Sequence, residues 1–184
     1  MQVLVTPRLT LRPPLEVDLE PIARAIGDFE VSRWLGQVPY PYMLGDAHHW
    51  FENIETGPQD KRWTLHDATS LVGVVSLSRR VREEVKSDHL ELGYWLARPC
   101  WGRGLMSEAV HAVLAHHFAS TDEPVVSGAH EGNAASLAIQ RKMGFEKTHE
   151  VRLPSKAQGR DVTVQRTRLT AEAFRARFPE RAAA

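Results

Sequence analysis

Gly102, Arg103 and Gly104 stand immediately before a run in which Met106, Ala109, Val110, Val113 and Leu114 recur at helical spacing. Backbone amides bared by glycine at a helix N-terminus, where the peptide dipoles present positive charge, make a site for an anion, most often a phosphate. Alone, two glycines separated by one residue serve a plain tight turn equally well. The residues before them supply context. Leu90, Leu92, Tyr94 and Leu96 alternate with Glu91, Gly93, Trp95 and Ala97, a period of two that fits a pleated strand ended by Arg98 and Pro99. Glu91 falls on the face opposite Leu90 and Leu92, so residues 90–109 bring a carboxylate and an anion site to one strand-to-helix junction.

The chain has 184 residues, 42% of them apolar and 25% charged, enough for one well-buried core and short for two, so a single domain over 1–184 is expected. Lys and Arg total 23 and Asp and Glu total 23. With zero net charge there is no global bias toward nucleic acid or an anionic membrane, and any anion site must be local. Cys100 is the only cysteine, which excludes an internal disulfide and a zinc site built on several cysteines. The adjacent pairs His48–His49 and His116–His117 cannot share one helical face, and they read as solvated or capping residues rather than metal ligands. No apolar run is long enough to span a membrane and no signal-peptide pattern is visible; a soluble cytoplasmic protein is expected.

The remaining elements can be placed in chain order. Residues 6–12 read as an edge strand with Leu9 and Leu11 on one face, stopped by Pro13 and Pro14. Asp18 is a candidate cap for a helix with Leu19, Ile22, Ala23 and Ile26 as its apolar stripe, and a helical turn or two covers 29–35. A stiff aromatic connection through Pro39, Tyr40, Pro41 and Tyr42 leads to a helix capped by Asp46 that carries His49, Trp50, Asn53 and Ile54 and ends before Gly57. Residues 62–66 and 71–80 form an antiparallel hairpin, and the polar segment 81–88, with Glu83 and Glu84, reads as a solvated connection. After the glycine turn and its helix, a strand at 125–130 completes one parallel crossover. A helix at 134–143 follows, closed by Gly144, then strands near 146–153 and 161–169 and a short helix after Thr170; the last residues read as frayed. This order predicts an α+β or mixed α/β fold, antiparallel at both ends with one parallel crossover. A dinucleotide fold would need further β-α units and a third glycine where Ser107 stands.

Glu91-Leu92-Gly93-Tyr94-Trp95, Trp101-Gly102-Arg103-Gly104-Leu105-Met106-Ser107-Glu108-Ala109, Asn133-Ala134-Ala135-Ser136 and Lys142-Met143-Gly144-Phe145 closely resemble the GNAT superfamily of N-acetyltransferases. With Thr6-Pro7-Arg8-Leu9, Leu11-Arg12-Pro13 and Asp18, the likeness covers nearly the whole chain and is greatest to the RimJ/RimL branch, which acetylates the N-terminal alanine of ribosomal proteins. The resemblance implies a mostly antiparallel twisted sheet with a splayed parallel central pair, flanked by helices, and acetyl-CoA as acyl donor, with no metal. It implies that the pyrophosphate sits on the amides of Gly102, Arg103, Gly104, Leu105 and Met106, with Arg103 adding charge and Trp101 alongside. The pantetheine arm would lie beside Tyr94, Trp95 and Leu96 like an added strand, and Asn133 would contact it, whether or not Asn133 also caps its helix. Trp101 and Met106 depart from the residues the family often has there, so the glycines carry more of the likeness.

The reaction needs a neutral amine, stabilisation of an oxyanion, and a hydrogen bond or proton for the departing thiolate. Related enzymes often place a tyrosine acid where Gln140 stands; in the RimJ/RimL branch a serine takes its place, and Ser136 holds the matching position. Glu91 is the best candidate base, directly or through a water, beside the alternative that it is an exposed strand carboxylate. Neutralising a lysine at pH 7 costs about 4.6 kcal/mol and an α-amine about 1 kcal/mol. This favours a peptide N-terminus or a small-molecule amine as acceptor. Trp34, Tyr40, Tyr42 and Trp50 are candidates for the acceptor wall, beside the alternative that they are core. Cys100 borders the anion loop, but direct transfer has no use for a nucleophile there. The chain is expected to work as a monomer or homodimer. A second class remains open, a non-catalytic acyl-CoA-binding regulatory module with the same fold.

Overall fold

The computed structural model describes residues 2–54, 61–82 and 85–179. Its centre is an eight-stranded sheet in the order β1-β2-β3-β4-β5-β6-β8-β7. The strands are β1 (Leu4–Val5), β2 (Thr10–Arg12), β3 (Lys61–His66), β4 (Leu71–Arg82), β5 (Val85–Leu96), β6 (Val125–His130), β7 (Glu146–Ser155) and β8 (Arg160–Leu169). Only β5 and β6 are parallel; every other pairing is antiparallel. The mixed α/β architecture is the expected one.

Helices cover both faces. On one, α4 (Leu105–Phe118), α5 (Ala134–Met143) and α6 (Ala171–Arg177) bury Val110, Val113, Leu114, Met143 and Phe174 against Leu90, Leu92 and Leu96. On the other, α1 (Leu19–Ile26) and α3 (Leu44–Glu52) bury Ile22, Ile26 and Ala47 with Val74 and Trp95, and α2 (Phe29–Ser32) joins them in the chain. The period of two in β5 is thus a division of labour, with leucines under α4 and Trp95 under α1 and α3. Gly73 lets β4 and β5 close up, since a Cβ there would stand 2.3 Å from the Trp95 carbonyl oxygen.

Several local expectations are corrected. Residues 6–12 are not one strand: Thr6 turns the chain, its hydroxyl accepting from the Leu9 amide at 3.0 Å, and β1 rather than β2 is the sheet edge. Asp18 does not cap α1. Its carboxylate accepts from the Leu15 amide at 2.8 Å and takes both guanidinium nitrogens of Arg12 at 2.7 Å, closing the 3-10 turn Glu16–Asp18. Asp46 sits one turn inside α3 and reaches back to the Met43 amide at 2.7 Å, the far half of a capping box. The polar segment 81–88 is not a loop throughout: β4 runs to Arg82 and β5 starts at Val85, paired across a bulge at 79–81, because backbone pairing does not require apolar side chains. His117 is buried and donates from Nε2 to the Glu123 carbonyl at 2.8 Å, so it is not solvated, while His116 is half-buried with its ring edge-on to Trp63. Gly57, Glu83 and Glu84, and the C-terminal residues 180–184 for which fraying is expected, lie outside the described residues.

Candidate active site

The register of β5 with β6 is short: Leu90 faces Val125, Glu91 faces Val126 and Leu92 faces Ser127. Beyond that point β5 continues to Leu96 paired with β4, and β6 continues to His130 paired with β8. The two strands part. At the apex the Ser127 hydroxyl donates to the Leu92 carbonyl at 3.0 Å, and past it the backbone of 93–96 has no strand partner on the β6 side. A sheet interior with unmatched amides and carbonyls is costly unless something pairs with them. The cleft that opens there has a volume of about 1130 Å³ and runs through the sheet, with Ser136 and Asn133 on one side and Glu91, Trp50 and Tyr42 on the other.

The glycine turn forms one end of this cleft. Gly102 and Gly104 have φ of 72° and 75°, the left-handed region that side chains disfavour, and α4 starts at the next residue, Leu105. The amides of the first turn of α4 therefore lack intrahelical acceptors. The loop is held from behind: Arg8 donates to the Arg103 carbonyl at 2.8 Å, and Glu108 takes the Arg8 Nε at 2.6 Å and the Thr6 hydroxyl at 2.6 Å. Burial pushes the Glu108 carboxyl up, but the Thr6 and Arg8 hydrogen bonds outweigh it and hold the group below its ordinary range. Arg103 is more than half exposed, with Asp67 4.0 Å away. Trp101 donates from its indole to the Leu96 carbonyl at 2.9 Å, which fixes the ring beside the loop. Unpartnered strand backbone for an amide-bearing arm, and helix-end amides for a pyrophosphate, fit coenzyme A.

Asn133 does cap α5: its side-chain oxygen accepts from the Ser136 amide at 3.1 Å, leaving its NH₂ as a donor at the cleft wall. Ser136 is tied into a chain of polar side chains. The Tyr94 hydroxyl is 2.9 Å from Ser136 Oγ, and Gln140 donates to the same Oγ at 3.4 Å. Tyr94, expected as a backbone contact for the donor's arm, thus also presents its phenol to the serine.

Glu91 is not an exposed carboxylate. It is largely buried and accepts from Arg166 Nη1 at 2.8 Å. Arg166 has room because residue 128 is glycine; a Cβ there would meet Nη1 at 2.8 Å and Val164 Cγ1 at 3.0 Å. Of the four aromatic residues expected on the acceptor wall, Trp34, Tyr42 and Trp50 line the cleft. Trp34 lies between Arg33, 4.9 Å over its ring, and His130, edge-on at 5.9 Å. Tyr42 is buried, and burial with Asp46 nearby pushes its phenol up to about 12. Trp50 carries Arg62 over its ring at 5.7 Å. Tyr40 is off the site: half exposed, it packs edge-on against Phe29 at 4.9 Å. Burial pushes the Cys100 thiol up, against the smaller pull of Arg103, which disfavours a nucleophilic thiolate.

Among the described residues no group of His, Cys, Asp or Glu is placed to hold a metal ion, and no helix is long and apolar enough to cross a membrane. Residues 8–146 match the acetyltransferase (GNAT) domain family. The chain belongs to the GNAT acetyltransferases. The uncharacterized N-acetyltransferase p20 of Bacillus licheniformis is 25% identical over 169 residues, covering 89% of this chain and 93% of its own. The GNAT fold is shared with RimL, a ribosomal L7/L12 α-N-protein acetyltransferase solved with coenzyme A (TM-score 0.79, 18% identity, 94% of this chain and 99% of that one). It is shared too with spermidine N-acetyltransferase of Vibrio cholerae, solved with coenzyme A and spermine (TM-score 0.75, 16% identity, 92% and 99%).

Two features of this GNAT cleft escape sequence reading. Arg166 lies 75 residues from Glu91, and its only trace is parity: Val162, Val164 and Arg166 share one face of β8. The Tyr94–Ser136–Gln140 cluster joins a strand to a helix across the parted pair, and a local pattern carries no mark of it.

Proposed function

We propose that the protein transfers the acetyl group of acetyl-CoA directly to a primary amine, a peptide or protein N-terminal α-amine or a small-molecule amine. The observation that carries this is the parting of β5 from β6 beyond Leu92 and Ser127, with the Gly102–Gly104 turn at one end and Ser136 on its wall. Acetyl-CoA brings the acetyl group as a reactive thioester. Gly102, Arg103, Gly104, Leu105 and Met106 hold the pyrophosphate through their amides; Tyr94, Trp95 and Leu96 offer backbone to the pantetheine arm; the Asn133 amide steers it. Glu91 accepts the amine's proton, directly or through a water, and the Ser136 hydroxyl gives a hydrogen bond to the departing sulfur.

The acceptor preference follows from the base. Glu91 already shares its charge with Arg166, so an amine that loses its proton for about 1 kcal/mol at pH 7 suits it better than a lysine at about 4.6 kcal/mol. The likeness in fold to enzymes named for a ribosomal-protein N-terminus and for spermidine supports the same pair of acceptor classes, and with the sequence likeness to the RimJ/RimL branch tilts toward N-termini.

Release of coenzyme A thiol from acetyl-CoA, followed over a panel of peptide N-termini, amino acids, polyamines and aminoglycosides, tests the reading. Acceptor-dependent release with an acetylated product supports it. Tight acetyl-CoA binding with no release across the panel means a binding module instead.

A further inference from the structure

Ser136 Oγ has two polar neighbours. Gln140 is buried, and the Thr167 hydroxyl donates to its Oε1 at 2.9 Å. With the amide oxygen turned to Thr167, its NH₂ end donates to Ser136 Oγ at 3.4 Å. Opposite it stands the Tyr94 hydroxyl, 2.9 Å from Oγ. A hydroxyl has one proton and two acceptor positions. When Tyr94 donates to Oγ, both acceptor positions are filled, and the serine's own proton is left to point into the cleft. The reverse arrangement, with Ser136 donating to Tyr94, would send the phenol's proton to the Ser136 carbonyl at 3.2 Å, an oxygen that already accepts within α5. A phenol is also the stronger donor of the two hydroxyls.

We propose that Tyr94 and Gln140 are positioning residues that aim the Ser136 proton at the sulfur leaving the acyl donor. This rests on the acetyltransferase reading. In the transfer step the amine nitrogen bonds to the acyl carbon, and the carbon–sulfur bond breaks with its electron pair left on sulfur. The amine's proton passes to Glu91 or to a water it holds, and on to solvent. Ser136 gives the sulfur a hydrogen bond and keeps its proton. Burial pushes the Tyr94 phenol up, against the smaller pull of Ser136 and Gln140, so Tyr94 stays protonated and no charge travels down the chain. Thr167 holds Gln140 in register on the far side.

The test is a double-mutant cycle on thiol release from acetyl-CoA, with the best acceptor of the panel and with water as acceptor. Tyr94→Phe removes only the hydroxyl and is expected to lower kcat on the order of tenfold with KM for acetyl-CoA unchanged. Ser136→Ala is expected to lower kcat about a hundredfold. The double variant should turn over no more slowly than Ser136→Ala alone, because Tyr94 acts only through the serine. Gln140→Met should repeat the pattern, and thermal melting confirms that each variant is folded. Multiplicative losses in the double variant, an effect of Tyr94→Phe on KM alone, or no effect of it overturns the positioning role while leaving acetyl transfer intact. A wild type that binds acetyl-CoA and releases no thiol in either assay overturns the acetyltransferase reading and this inference with it.

Discussion

Arg166 Nη1 donates to Glu91 Oε1 at 2.8 Å across the face of the parted strands, in the space that Gly128 leaves open. The ion pair holds the carboxylate in place at the cleft wall. If Glu91 takes the proton from an α-amine, Glu91→Gln should lower kcat/KM at least about tenfold at pH 7. The deficit should narrow as pH rises past about 8, where an α-amine has lost its proton unaided. A pH–rate profile of wild type and variant checks this, and a constant offset at every pH would remove Glu91 as the base. The same substitution leaves Arg166 largely buried without an anion, a loss of roughly 1.5 to 3 kcal/mol. Melting should fall by about 2–4 °C per kcal/mol.

Two glycines near the cleft should respond differently to alanine. At Gly104 the only atom near an added Cβ is Arg8 Nη2 at 3.6 Å, an ordinary contact, so the cost is the left-handed φ of 75°, roughly 1–2 kcal/mol. Relief of that strain tilts the turn, and the Kd for coenzyme A should rise about tenfold while the protein stays folded. Gly73→Ala has no such escape, because its Cβ would stand 2.3 Å from a backbone oxygen of β5. It should cost more than 3 kcal/mol by chemical denaturation, and a smaller loss would mean that β4 and β5 can part at little cost.

The strand, glycine turn and helix that form one end of the cleft are legible in the chain because they are local. Strand, glycine turn and helix follow one another within 90–109, and each residue's role there is set by neighbours a few positions away. Gly144 likewise closes α5 with φ of 96° as its type predicts. The wall around Glu91 is assembled from β8, β6 and the early helices, and its pairings depend on a sheet order no local pattern encodes. Arg166 reaches Glu91 only because β8 inserts between β6 and β7. Tyr40 and Tyr42 share one stiff connection, yet only Tyr42 turns inward. Asp18 shows the same limit at short range: a capping rule reads forward to α1, while Arg12 behind it takes the carboxylate.

That pairing has its own consequence. Asp18 is almost fully buried and holds Arg12 through two 2.7 Å bonds and the Leu15 amide through a third. Asp18→Ala leaves a largely buried guanidinium without an anion and frees the turn that leads into α1, the helix packed against Tyr42 and Trp50 at the cleft. A loss of about 3–5 kcal/mol is expected by urea denaturation. If Asp18 were only a helix cap, the loss would be about 1 kcal/mol.

Glu108 links the stability of the chain to the geometry of the Gly102–Gly104 turn. Its carboxylate joins Thr6 and Arg8, and Arg8 in turn holds the Arg103 carbonyl. Burial acts to raise the Glu108 carboxyl, the Thr6 and Arg8 contacts outweigh it, and the group lies below its ordinary value of 4.5. A carboxyl depressed in the folded state contributes stability that is present above its unfolded value and is lost as pH falls through the folded one. Melting temperature should therefore drop on acidification below about pH 4.5, and Glu108→Gln should flatten that part of the curve while lowering stability at pH 7. Because the amide cannot hold both Thr6 and Arg8, the Arg103 carbonyl loses its anchor. The Kd of coenzyme A at pH 7 should rise several-fold in Glu108→Gln even though Glu108 does not line the cleft. Unchanged affinity beside the expected loss of acid sensitivity would mean that α4 alone orders the loop and that the N-terminal turn serves stability only.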